Sequence, residues 1–293
     1  MYIYIYIYIL MKIGIIGNGF VGKATGLLEC NDISIIIYDI NPILCKPLNT
    51  TLEDICDCEL IFISVPTPMN KDGSCYIDIL KSVINDISKI KSIDELLLIN
   101  RCTVPINTSN QLNCYYMPEF LTEKNFKDDF INNPEWIFGL KNSSTDNIFK
   151  DKITNLINIA YNNKCISSNK LYFVDNNEAE MIKLFRNTFL STKISFCNEI
   201  YEFCQAQNIC YENVRKLATN DMRIGSSHTN VPGHDGCFGY GGTCFPKDTN
   251  SLYFQMKEKK IDSYIIKANI ERNENVDRPA QDWKLNKNRA FID

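Results

Sequence analysis

The chain has 293 residues with a formal net charge of −4, 45% hydrophobic and 23% charged residues. That length supports two domains around sizeable cores, and the ordinary apolar fraction points to a soluble globular protein. The acidic balance excludes the basic footprint of a nucleic-acid binder. The thirteen cysteines form no CxxC pair and there are only two histidines, so no zinc or other metal site is expected. Mostly free thiols in a reducing, cytoplasmic compartment are expected instead.

The first ten residues, MYIYIYIYIL, alternate like a strand. They lack the basic start and cleavage site of a signal peptide and are too short to cross a bilayer. They are read as an upstream start or a sticky extension that need not be native, with an edge strand as the blander alternative. Residues 12–17 (KIGIIG) form a short apolar run ending in glycine, as a buried parallel strand should. A helix is expected over 22–28 and further strands over 33–38 (ISIIIY), 60–65 (LIFISV) and 96–99. Residues 78–90 have helical spacing, and 136–139 and 171–174 complete the strand candidates. This alternation implies an α/β fold, a Rossmann-type doubly wound parallel sheet. After Asp175 the pattern changes to one long helix over about 177–207, then shorter helices near 211–219 and 249–259. The expected domains are therefore 11–175, a nucleotide-type domain, and 176–275, an all-helical central domain, followed by a polar tail over 276–293.

Residues 17–22 (GNGFVG) are G-x-G-x-x-G directly between a strand and a helix. Gly17 makes the tight turn, Gly19 lets the backbone approach a pyrophosphate, and Gly22 lets helix and strand pack closely, with Phe20 and Val21 between them also assigned to the cofactor. Asp39 closes the next strand, where an acid bonds a ribose 2′-hydroxyl and repels a 2′-phosphate, so NAD is the expected cofactor. An ordinary βα turn with a solvated aspartate is the bland alternative.

Three further segments carry candidate chemistry. In PEFLTE (118–123), Glu119 and Glu123 stand four apart; on a helix they share a face, in a loop they need not. Lys183 and Asn187 are also four apart on the long helix, where an ammonium and an amide can hold an oxyanion; a snorkelling lysine beside a surface asparagine is the alternative. In FGYGGTCFPKD (238–248), Cys244 follows a glycine-rich turn, with Lys247 and Asp248 three and four residues on. A nearby cation favours the reactive thiolate, so Cys244 reads as a presented nucleophile.

Together with VPTP (65–68), RCTVP (101–105), KLFRN (183–187) and DMRIG (221–225), these segments resemble the UDP-glucose 6-dehydrogenase family, in its order and over roughly residues 11–290. The resemblance implies an NAD-dependent four-electron oxidation of UDP-glucose to UDP-glucuronate through a thiohemiacetal and thioester on Cys244. It implies that Lys183 and Asn187 stabilise oxyanions, that Asp248 positions a proton-accepting water with Thr103 nearby, and that Glu119 is the base for thioester hydrolysis. Thr67, Thr103, Glu123 and Lys247 would touch the cofactor. Glu119, Phe120, Leu121 and Glu123, with Phe238, Tyr240, Gly241 and Gly242, would line the sugar nucleotide. Arg223 would reach substrate across a homodimer interface built on the long helix. No membrane partner is expected.

Two local departures from the family pattern are Cys102, where serine is common, and Asn107, where glycine is usual; asparagine is the next best residue at positive φ. A third is larger: the family carries a C-terminal domain over the UDP moiety, and the chain reads as a short form without it. The alternatives are a GDP-mannose or UDP-N-acetylhexosamine dehydrogenase, and an NAD-binding but inactive homologue that pairs with or regulates a full-length partner.

Overall fold

The computed structural model describes residues 10–292, so the expected N-terminal extension lies almost wholly outside the described residues. The chain divides into two compact units: residues through Pro66 together with Ile77–Lys183, and Thr67–Tyr76 together with the residues from Leu184 on.

Among the described residues the first unit is built on seven strands, β1 (Met11–Ile16), β2 (Ile33–Tyr38), β3 (Leu60–Ile63), β4 (Leu98–Asn100), β5 (Tyr115–Tyr116), β6 (Trp136–Leu140) and β7 (Leu171–Asp175). Their spatial order is β2-β1-β3-β4-β5-β6-β7. All neighbours are parallel except β5 and β6, which meet antiparallel through Tyr116 and Gly139. The sheet is thus the doubly wound, mostly parallel one expected from the alternation, with this single antiparallel pair. β5 itself is two residues long, below the length at which a hydrophobic pattern can be read.

The helices are α1 (Phe20–Thr25), α2 (Leu52–Cys56), α3 (Asp78–Ile90), α4 (Thr108–Gln111), α5 (Phe126–Ile131) and α6 (Asp146–Asn162). Burial of Leu80, Ile84 and Ile87 at helical spacing explains α3. The helix expected over 22–28 begins two residues earlier and turns into a 3₁₀ segment at Gly26–Leu28. The two sheet faces carry separate cores, one around Phe62, Phe138 and Phe149, the other around Ile61, Ile63 and Tyr116. β3 is buried on both faces, the requirement that makes its sequence continuously apolar.

β1 lies between β2 and β3, so the chain reverses its direction of winding at β1. In such sheets the crevice at the carboxyl ends of the strands flanking the reversal is where ligands bind. The glycine turn follows β1 at that crevice.

The long helix α7 (Asn176–Ala206) spans the boundary between the units, which falls after Lys183. In the second unit follow α8 (Tyr211–Ala218), α9 (Phe245–Glu258) and α10 (Tyr264–Arg272). A buried polar chain ties three of these helices together. Ser191 on α7 meets Thr249 on α9 at 2.9 Å; Asn269 on α10 donates to Ser191 Oγ at 2.9 Å and accepts from Ser195 at 2.7 Å. The polar tail is bound into this unit: Trp283 and Ala290 are buried, and Met69 exchanges backbone hydrogen bonds with Ala290 and Ile292.

Candidate active site

The glycine turn is dictated by contact. Gly17 has φ +91°, and a Cβ there would stand 2.5 Å from the Ser64 carbonyl after β3. A Cβ on Gly22 would strike the Gly17 carbonyl, whereas one on Gly19 would meet nothing. The first and third glycines thus close the turn and the second leaves room above it. Asp39, at the end of β2, accepts from Asn18 N at 2.7 Å and Asn41 N at 2.9 Å. Asn18 Oδ1 is buried with no partner among the described residues. An open glycine, an orphaned acceptor and a carboxylate at the second strand fit a dinucleotide; backbone N–H groups at α1 suit its pyrophosphate and Asp39 its ribose.

Elsewhere in the first unit, Glu119 lies in the irregular segment between β5 and α5. It is buried, as is Lys183, whose Nζ donates at 2.6 Å to both Glu119 Oε1 and the Glu119 carbonyl. Glu119 Oε2 accepts from Leu121 N at 3.0 Å. Burial works to raise the Glu119 pKa, but the charge and hydrogen bond of Lys183, the Leu121 amide and the charge of Arg101 hold it below the ordinary carboxylate value. Glu119 is therefore a carboxylate, and Lys183 its counter-ion. Glu123 is exposed at a turn four residues on, so the loop reading of PEFLTE holds and the two acids share no helix face. Thr103 is buried in the same unit, and Asn107 adopts φ +75°, the left-handed conformation expected of the residue replacing glycine.

In the second unit Cys244 is the N-cap of α9. The helix expected from 249 starts at Phe245, because Pro246 occupies a first-turn position where its missing N–H costs nothing. Lys247 and Asp248 thus lie in the first turn of a helix, not in a loop. Lys247 Nζ donates to Asp248 Oδ1 and Asn187 Nδ2 to Asp248 Oδ2, each at 2.6 Å, and Asp248 is 1% exposed. Burial opposes the charge on Lys247, but the Asp248 carboxylate and the Cys244 and Cys75 thiols hold its pKa above the usual lysine value. A helix N-terminus and a fixed ammonium both favour Cys244 as thiolate.

Two models of one family match the sequence. "UDP-glucose/GDP-mannose dehydrogenase family, NAD binding domain" covers residues 45–157, and the central domain of the same family covers 177–275. The chain belongs to the UDP-glucose/GDP-mannose dehydrogenase family. It is 31% identical to the UDP-glucose 6-dehydrogenase of Rickettsia bellii over 239 residues, 78% of this chain and 51% of that protein. It is 28% identical to UDP-glucose 6-dehydrogenase YwqF of Bacillus subtilis over 94% of this chain and 69% of that one. The chain thus spans about half the length of the Rickettsia bellii relative. A UDP-glucose dehydrogenase from the hyperthermophilic archaeon Pyrobaculum islandicum superposes with a TM-score of 0.75 at 22% identity, over 90% of this chain and 68% of that one. This likeness shows the shared fold, and residues 45–157 carry the match to the family's NAD-binding domain.

Against that family, the structure joins Lys183 to Glu119 in one unit and Asn187 to Asp248 and Lys247 in the other. Arg223 stands apart, its side chain 90% exposed and paired with Asp221 at 2.5 Å. Phe238 is partly exposed, while Tyr240 is buried. Sequence reasoning passed over Asn273, which holds the nucleophile loop by accepting from Tyr240 N at 2.8 Å and donating to Tyr240 O at 2.9 Å. It also passed over Arg278: a Cβ on Gly241 would stand 2.5 Å from its guanidinium. Gly239, at φ +64° and against Asn273 and Asp277, is thus required by packing inside the protein; Gly241 meets only the guanidinium end of Arg278, and Gly242, at φ +74°, is open. Both missed residues lie some thirty positions from the loop, with no local signal to mark them.

Proposed function

We propose that the chain oxidises the C6 alcohol of UDP-glucose to the carboxylate in two two-electron steps, with Cys244 as nucleophile. NAD, bound at the glycine turn with Asp39 on its ribose, supplies the hydride acceptor for both oxidations. Asp248 positions a water that takes the alcohol proton, and Thr103 is assigned to the same step. The Cys244 thiolate adds to the aldehyde carbon, and Lys183 Nζ and Asn187 Nδ2 stabilise the oxyanion. Loss of the second hydride leaves a thioester; Glu119, as carboxylate, takes a proton from the attacking water, the C–S bond breaks, and thiolate and uronate separate. Phe120, Leu121, Phe238, Tyr240, Gly241 and Gly242 are assigned to the sugar nucleotide, and Thr67, Glu123 and Lys247 to the cofactor side.

The observation that carries this reading is Cys244 at the N-terminus of α9, with Lys247, Asp248 and Asn187 joined behind it by two 2.6 Å bonds. The proposal extends to a cytoplasmic homodimer in which Arg223 reaches the partner's substrate. All thirteen cysteines are free thiols, and no helix among the described residues is long and apolar enough to cross a membrane.

The test is NADH production. Wild type is expected to yield two NADH per UDP-glucose and little with GDP-mannose or a UDP-N-acetylhexosamine, and Cys244→Ser no more than one, because only the second oxidation needs the thiolate. Two NADH per GDP-mannose in place of UDP-glucose would move the substrate assignment. No NADH from any sugar nucleotide, with NAD still bound, would sink the enzymatic reading.

A further inference from the structure

One buried charge has no part in the mechanism above. Arg101, just after β4, is 2% exposed. Its Nη1 donates to Thr25 Oγ1 on α1, and its guanidinium stands 5.7 Å from the centre of the Phe130 ring. Its Nε is buried with no partner among the described residues. Burial lowers its pKa to about 10, which leaves it charged at neutral pH. A guanidinium so far from water loses its hydration, so it persists only where something compensates.

The compensation is visible beside it. Arg101 lines a cavity of about 30 Å³ with Glu119, Asp129, Asn133, Phe130 and Trp136. Roughly 10–15 Å³ accommodates one water, so this space, half apolar and with Arg101, Glu119, Asp129 and Asn133 among its walls, takes about two. Asp129, from α5, already accepts from Thr122 N at 2.7 Å and Thr122 Oγ1 at 2.5 Å. Glu119, in the same cavity lining, is the anion whose charge acts most strongly on Arg101, and Arg101 in turn helps hold the Glu119 carboxyl ionised. Tyr116 and Cys102 flank the guanidinium, and Lys183 from α7 holds the other side of Glu119.

The proposed reaction strains this arrangement. When Lys183 Nζ turns to an oxyanion, Glu119 loses its nearest cation at the stage where it must act as a carboxylate. Left alone in a buried place, a carboxyl takes up a proton. We propose that Arg101 is the positioning residue that prevents this: bridged to Glu119 by water in their shared cavity, it keeps the carboxylate ionised while Lys183 serves the substrate. This inference rests on the roles given to Lys183 and Glu119 above.

The test follows the Glu119 carboxyl itself, by infrared difference spectroscopy of the full chain, with Glu119→Gln assigning the band. In Lys183→Met the carboxyl is expected to remain ionised at pH 7. In Lys183→Met/Arg101→Met it should titrate at least one pH unit higher, and Lys183→Met/Arg101→Lys should recover at least half of that shift. Thr25→Val, which removes only the contact to α1, should move neither titration. Arg101→Gln replaces the methionine variant if that does not fold. The inference is overturned by a protonated Glu119 at pH 7 in Lys183→Met, by a titration indifferent to Arg101, or by an equal shift in Thr25→Val. Because the readout is the carboxyl and not turnover, inactivity toward sugar nucleotides would count against the enzymatic reading alone.

Discussion

A methyl group at Gly17 would collide with a backbone carbonyl that cannot withdraw, at a φ that alanine avoids. Strain of about 1–3 kcal/mol is expected for Gly17→Ala, together with loss of NAD binding; chemical denaturation and isothermal titration read the two effects. At the nucleophile, Lys247→Met removes the ammonium that faces Cys244 and Asp248. The iodoacetamide alkylation rate of Cys244 should then rise at higher pH than in wild type; an unchanged profile would remove Lys247 from thiolate stabilisation. Glu180 shows a charge that folding resists. It is buried and accepts from Asn107 N at 2.5 Å and Ser109 N at 2.8 Å, yet burial pushes its pKa up to about 7 from 4.5. The folded state therefore holds this proton more tightly than the unfolded chain does. Its contribution is complete below pH 4.5 and is lost as pH rises through 7, on the order of 3 kcal/mol. Urea midpoints should fall across that window, and Glu180→Gln should flatten the fall, at some cost because its amide N–H₂ opposes one backbone donor.

Among the elements, α7 carries the most varied burden. One face supplies Asn187, Ser191 and Ser195 to polar contacts inside the second unit. Another presents Phe185, Phe189, Phe196 and Phe203, each about 60% exposed, with the first two rings stacked 6.3 Å apart. Intervals of four and seven residues keep these rings on one stripe. An apolar stripe of that length marks an interaction surface, and a second copy of the chain is the proposed occupant. Sedimentation should show a dimer at micromolar concentration and a monomer for Phe196→Glu; a monomeric wild type would remove the role assigned to Arg223. α9 shows how an element start decides chemistry. Its first turn reaches back to Phe245, so Cys244 caps it and Asp248 is aimed at α7. Proline at its second position hid that start, because the same residue in a sequence also reads as a break.

For the whole molecule, a ligand that binds only the folded state stabilises it by about 2.7 kcal/mol at one hundred times its dissociation constant. NAD at that excess should raise the midpoint of thermal unfolding. NADP at the same concentration should not, because its 2′-phosphate would meet Asp39, and Asp39→Asn should narrow the difference. Equal stabilisation by both nucleotides would show that Asp39 does not read the ribose. Much of the molecule was legible beforehand, since it rests on local rules. The helix over 78–90 and the strand over 33–38 have the expected bounds, because an apolar stripe or run can be buried in only one way. The glycine turn, Asp39 and the cysteine segment carry their chemistry within a few residues. Partnership across the chain was not legible: Lys183 joined to Glu119, Asn187 to Asp248, Asn273 to the nucleophile loop, and Arg101 to the cavity beside Glu119. Sequence spacing determines which side chains share a turn of helix, whereas the hydrogen bonds that set charge and orientation at buried groups form between residues brought together only when the elements pack.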